Sequence, residues 1–234
     1  MVVSELSARP VESIARSKEV RPERLAGMAG LIFTATVLFQ NVLRGSGPLN
    51  DASQATIVAY YSSHHGSMAL LLASFGLGFA ALLTFLAGLS ARASADSGAA
   101  PWARLGLIGG VLIGCTFTLV NVLEAGIDAA SSSGASPALL GVLNALYWTA
   151  FGINLLPIGT ALLGLSQAGV RARLIPRWLG RASLVGGPLL IAGGMGSLAI
   201  AQGSHWLLVG LVGFVVWLVF VVTASIGLLR CQAA

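Results

Sequence analysis

Two carboxylates, three histidines and a handful of amides are the residues of this chain with chemistry to offer. Glu124 and Asp128 sit in a long apolar segment and, with Asn121, fall at i, i+3 and i+7, one face of a helix. Asn144, Tyr147, Trp148 and Phe151 make a continuous face on the next segment, with Asn154 one turn deeper. Gln40 and Asn41 close the first apolar segment. The candidate ligand-binding set is therefore Glu124, Asp128, Asn121, Asn144, Trp148, Gln40 and Asn41, with Glu124 at its centre. A carboxylate at membrane depth has either a partner or a function, because an unpaired charge there costs several kcal/mol. Two readings of Glu124 follow: the central binding residue, or an interfacial carboxylate that is hydrated or paired with Arg44.

The histidines make a weaker set. His64, His65 and His205 are the metal candidates, because imidazole beside carboxylates suits Zn²⁺ or a similar ion. Their spacing argues against a strong site: two are adjacent, and no His-x-x-x-His or Glu-x-x-His occurs on a helix. Haem ligation would need His within opposed spans, and no cofactor is specified by any motif. There is no Gly-rich phosphate loop and no Ser/His/Asp order. Cys115 lies inside an apolar segment and Cys231 in the C-terminal tail, so a disulfide between them is not expected.

The elements that must position these groups are apolar helices. The chain is 56% hydrophobic and 9% charged, outside the range of soluble domains. Six apolar runs, from about Ala26, Ala69, Leu105, Ala138, Ser183 and Leu207, are each long enough to cross roughly 30 Å of hydrocarbon. The expected fold is all-α and polytopic, with a polar tail over 1–25, a six-helix transmembrane domain over 26–230 and a tail over 231–234. Of the 13 Lys and Arg residues, all but Arg44 fall in alternate connections on one side of that arrangement. The positive-inside rule then places both termini in the cytoplasm. The net charge of +5 lies along that rim, where anionic headgroups explain it better than nucleic acid. The first 25 residues have no apolar core of the signal-peptide kind. In the first external loop, Asn50 or Asp51 can cap a short amphipathic helix from Asp51 to Tyr61, lying on the outer surface with its tyrosines at headgroup depth.

An internal repeat is visible. Gly88-Leu89-Ser90 and Gly164-Leu165-Ser166 end two segments, and each is followed at equal spacing by Trp102 or Trp178. Arg104-x-x-Leu107-Ile108-Gly109-Gly110 then matches Arg181-x-x-Leu184-Val185-Gly186-Gly187, at an offset of 76 to 77 residues. Both copies run the same way, unlike an inverted transporter repeat. Gly106, Gly110 and Gly114 form a small-residue stripe for close helix packing. Pro157 should kink the fourth span, and a bend at Pro188 is expected in the fifth.

Three stretches carry a resemblance: Arg24-Leu25-Ala26-Gly27, Tyr60-Tyr61, and Leu174-Ile175-Pro176-Arg177-Trp178-Leu179-Gly180. In these the chain resembles a bacterial membrane family catalogued as domain of unknown function 4386, over about Arg21 to Arg230. The resemblance implies six helices and a bacterial inner membrane, and carries over no catalytic or ligand residues. The connections are too short for a soluble catalytic domain. The sequence therefore favours a non-enzymatic auxiliary or sensory membrane protein. Its outward polar recess would take a small ligand, a lipid or a partner helix, whether a partner membrane protein or a second copy of the chain. A permease for a small solute is the alternative, and a membrane-embedded enzyme or metal-binding protein comes third. Below Asn154 only Thr84, Thr160, Thr223 and scattered Ser remain to line a path, which weakens transport.

Overall fold

A computed structural model describes residues 22–45 and 47–230. The expectations for the two polar tails, including most of the basic N-terminal residues and Cys231, lie outside the described residues. Within them the chain is all-helical: α1 (Pro22–Arg44), α2 (Gln54–Ser94), α3 (Ala100–Ser132), α4 (Pro137–Ile153), α5 (Leu155–Arg171), α6 (Arg177–Met195), α7 (Ser197–Ala201) and α8 (Leu207–Arg230). Five stretches are long and apolar enough to cross a membrane: α1, α2, α3, α4 continued by α5, and α8. Their outward residues are apolar too, with Leu77, Ile108, Val122, Val142 and Leu211 all more than half exposed. Water would not tolerate so continuous an apolar exterior, whereas acyl chains would. This is the bundle of a multi-pass membrane protein.

Ends are distinguished by charge. Arg24, Arg92, Arg104, Arg171, Arg173, Arg177, Arg181 and Arg230 lie at one end, here the arginine end. Arg44, Asp51, Glu124, Asp128 and the three histidines lie at the other, the histidine end.

Breaks in the helices follow local chemistry. Pro157 has no N–H for the carbonyl of Ile153, and the fourth stretch steps at Asn154, between α4 and α5. Pro188, where a bend is expected, lies inside α6. The helix runs through Pro188 and ends at Gly196, against which the Trp206 ring packs so closely that no side chain would fit. α2 kinks at His64, where φ is −117° and ψ 18°.

The expected surface helix is revised in the same region. Its cap is Ser53, whose hydroxyl accepts from Thr56 N, and not Asn50 or Asp51. From Gln54 it continues into α2, and Ile57, Tyr60 and Tyr61 are buried against the bundle. Asn50 is used elsewhere: its amide donates to the carbonyls of Ile200 and Ser204, at 2.6 and 3.1 Å. That ties the loop after α1 to the turn before α8.

The repeat is present in contacts as well as letters. A side chain at Gly110 would meet Leu86, and one at Gly187 would meet Leu163. Ser90 Oγ donates to Ala103 O across the first hairpin, and Gln167 Nε2 to Gly180 O across the second. The hairpin of α2 and α3 thus packs like that of α5 and α6.

Candidate functional site

The histidine end holds a buried ion pair. Arg44, the last residue of α1, reaches across to α3, where Nε donates to both oxygens of Glu124 at 3.2 Å. Its Nη2 donates to Glu124 Oε2 at 2.7 Å and to Asn121 Oδ1 at 3.4 Å. The fork geometry binds the carboxylate with two nitrogens, the strongest form such a pair takes. Glu124 is 3% exposed, and the guanidinium of Arg44, whose side chain is 12% exposed, lies 5.4 Å from the Phe117 ring centre, so the pair is largely shielded from solvent. Of the two sequence readings of Glu124, pairing with Arg44 describes its immediate contacts.

Beneath the pair lies a chamber of about 210 Å³ between α1, α2, α3, the α4–α5 step and α8. Its wall is mostly aromatic and aliphatic: Phe33, Phe75, Phe79, Leu82, Ile113, Phe117, Phe151, Leu155, Ile158, Phe214 and Trp217. Polar groups gather toward one end, with Arg44, Asn41 and Gln40 at the top and Thr36 and Asn154 at mid-depth. Gln40 is held by a bond from Nε2 to Ser74 Oγ at 3.1 Å, and Asn154 accepts from the Thr116 hydroxyl. From Arg44 down to Phe33 the wall follows α1 for about 16 Å at 1.5 Å per residue. That is roughly half the hydrocarbon thickness of a bilayer.

Why a chamber forms here follows from residue size. At the arginine end, Gly27 and Gly30 let α1 close onto α8, where any added Cβ would strike Ser225. Toward the histidine end, α1 carries Val37, Phe39 and Asn41, and α8 carries Leu207, Leu211 and Phe214. Val37, Asn41, Leu211 and Phe214 line the chamber from these two helices, and exposed Asn41 and Leu211 carry its wall to the surface of the bundle, here called the mouth. The Asn50 tie joins the loop after α1 to the turn before α8 at this end.

The remaining sequence candidates divide. Asn121 and Asn144 are both buried, Asn121 beside Arg44 and donating to Phe117 O at 2.8 Å. Trp148 is half-buried and stacks edge-on against Tyr147 and Phe151, its Nε1 making no hydrogen bond among the described residues. Gln40 and Asn41 separate: Gln40 is buried, while exposed Asn41 bonds back to Val37 O. Asp128 faces away from the chamber, pairing its Oδ2 with His65 Nδ1 at 2.7 Å. The histidines do not converge. His64 stacks on Tyr60 at 4.3 Å, His65 meets Asp128, and His205 is exposed in the turn before α8. Among the described residues no three His, Cys, Asp or Glu side chains come together as metal ligands would.

Sequence reasoning missed the chamber wall. Neither Phe75, Phe79, Phe214 nor Trp217 stands out from the core in sequence, whereas Arg44 was marked as the odd cation at its end of the bundle. Comparison of the chain with family models, curated proteins and solved structures finds no match.

Proposed function

We propose that this chain is a non-enzymatic auxiliary or sensory membrane protein whose chamber binds an amphiphilic, lipid-like molecule entering sideways between α1 and α8. The observation that carries this reading is the division of one cavity into a long apolar barrel and a polar head. An engineered cavity of roughly 150 Å³ takes benzene. At about 210 Å³ the chamber has room for somewhat more than that, a short stretch of hydrocarbon chain, with the rest extending through the mouth. Because Arg44 and Glu124 neutralise each other, the head of the ligand needs hydrogen-bonding groups, not a net charge. The floor around Phe33, Leu82, Ile158 and Trp217 offers no polar continuation toward the arginine end, which disfavours a permease.

The reading includes six spans, both termini in the cytoplasm and a bacterial inner membrane. Support for a sixth span comes from α6, whose 19 residues extend about 28 Å and pack along α5 and α8. Its glycines and Arg181 lower its hydropathy below that of the other five. The segment before the His64 kink would form the outer rim. Membership of the family of unknown function 4386 belongs to the same proposal, supported by the Pro176–Gly180 segment that opens α6.

Native mass spectrometry of the full-length protein from gentle detergent tests the binding. Wild type should retain an amphiphile that Val37→Phe/Leu211→Phe, which narrows the mouth, loses while keeping its thermal midpoint. Equal retention by both would remove the chamber as the binding site.

A further inference from the structure

The turn between α5 and α6 holds the only non-glycine residue with positive φ among the described residues, Arg173 at 58°. Side-chain-bearing residues adopt this conformation where the surroundings impose it. Here Leu174 and Ile175 are anchored in the core, Leu174 N donates to Gly169 O at 2.8 Å, and the Leu174 carbonyl presses on α8 at Gly227. So clamped, the turn brings Arg171, Arg173 and Arg177 around one shallow depression, on a base of Val170, Ile175 and Pro176.

No carboxylate lines this depression, and neither ion pair among the described residues involves its arginines. Arg171 is held in place over the Trp102 ring at 5.4 Å, with Nη1 donating to Gln167 O at 3.0 Å. The first turn of α6 begins at Arg177 without a side-chain cap, so its amides add partial positive charge. Three cations gathered without a counter-charge among the described residues repel one another, and an anion relieves that repulsion. Exposed Trp102 and Trp178 flank the site, as tryptophans do at headgroup depth. The other arginines of this end, Arg92 and Arg230 among them, are outside the depression.

We infer that this depression is a binding site for a phosphate group, presented by a lipid headgroup or as the free ion. Guanidinium forks match phosphate oxygens in pairs, and the apolar base suits the glycerol and chain roots of a phospholipid. The site is separate from the chamber and stands or falls without it.

The test uses the full chain in nanodiscs containing phosphatidylglycerol, with bound lipid counted by native mass spectrometry. At about fivefold per basic residue, Arg171→Gln/Arg177→Gln should lower retention on the order of twentyfold. Arg92→Gln/Arg230→Gln, which removes the same charge at the same end, should leave it unchanged. Arg173→Gly, which suits the left-handed backbone and keeps the turn intact, should lower retention about fivefold. Titration with inorganic phosphate separates the sources. Displacement of the lipid by phosphate, with the same arginine dependence, assigns the site to free phosphate as well. Retention unmoved by phosphate assigns it to the lipid. Equal losses from the two double variants, or none from Arg171→Gln/Arg177→Gln and Arg173→Gly, would overturn the inference.

Discussion

The seam between α1 and α8 is built differently at its two ends. At the arginine end, glycine meets backbone: Gly164 lies directly against Gly106 and the Trp102 carbonyl, and Gly27 and Gly30 against Ser225. Charges there are left outside, on the rim. At the histidine end, α1 and α8 turn Val37, Gln40, Leu211 and Phe214 toward a chamber, and charge is taken inside as the Arg44–Glu124 pair. Side-chain volume thus decides where this membrane protein is solid and where it is hollow. Without a hydrophobic force between helices in lipid, close backbone approach is what holds one end shut. The open end spends its burial on polar groups that must find one another.

Variants can break either half. The largest effect should come from Glu124→Gln, which leaves the Arg44 guanidinium buried beside a neutral amide. A lost buried partner costs about 3–5 kcal/mol, read as a lowered thermal midpoint, and Arg44→Gln/Glu124→Gln should recover part of it. If the single variant melts like wild type, the pair is solvated and the closed histidine end is misdrawn. Next comes the solid half. Gly164→Leu drives a side chain into α3 backbone that has no rotamer to change, and should cost about 1–3 kcal/mol. Gly110→Leu meets only the flexible Leu86 side chain and should cost less. The reverse order would mean that α3 and α5 are not in backbone contact. Asp128→Asn removes a pair whose histidine is 66% exposed, and should cost less than about 1 kcal/mol. A larger loss would show that Asp128 belongs to the buried cluster. Smallest of all is Gly126→Ala. Nothing lies within 4 Å of its added methyl, so the helix should gain about 0.5–1 kcal/mol from reduced backbone freedom.

Much of the solid half was legible in the sequence, because helix packing there is written in single residues. Gly88, Gly110, Gly164 and Gly187 recur at an offset of 76 to 77 residues, and each packs against a neighbouring helix as the pattern implies. Arg44 stood out as the one cation at its end of the bundle, and Glu124 as a carboxylate in need of a partner. A polar recess at the histidine end was expected around Gln40 and Asn41, which do line the chamber, but its long apolar barrel was not legible. A void is made by contacts that helices do not form, and no pattern within a single helix records it. Asn50 looked like a cap because it precedes a helix, but its partners are 150 and 154 residues away in the chain. Pro188 lies inside α6, and the helix ends instead at Gly196, where Trp206 needs the space.

Trp217 gives the most direct test of the chamber. It is 1% exposed and forms part of the inner wall, so bromine on a lipid chain can approach it closely only from within. With Trp102, Trp148, Trp178 and Trp206 replaced by Phe, its fluorescence in bilayers of brominated-chain lipid reports whether a chain enters. The account predicts strong quenching that falls sharply when Val37→Phe/Leu211→Phe narrows the mouth. Equal quenching with the mouth open or narrowed would contradict it.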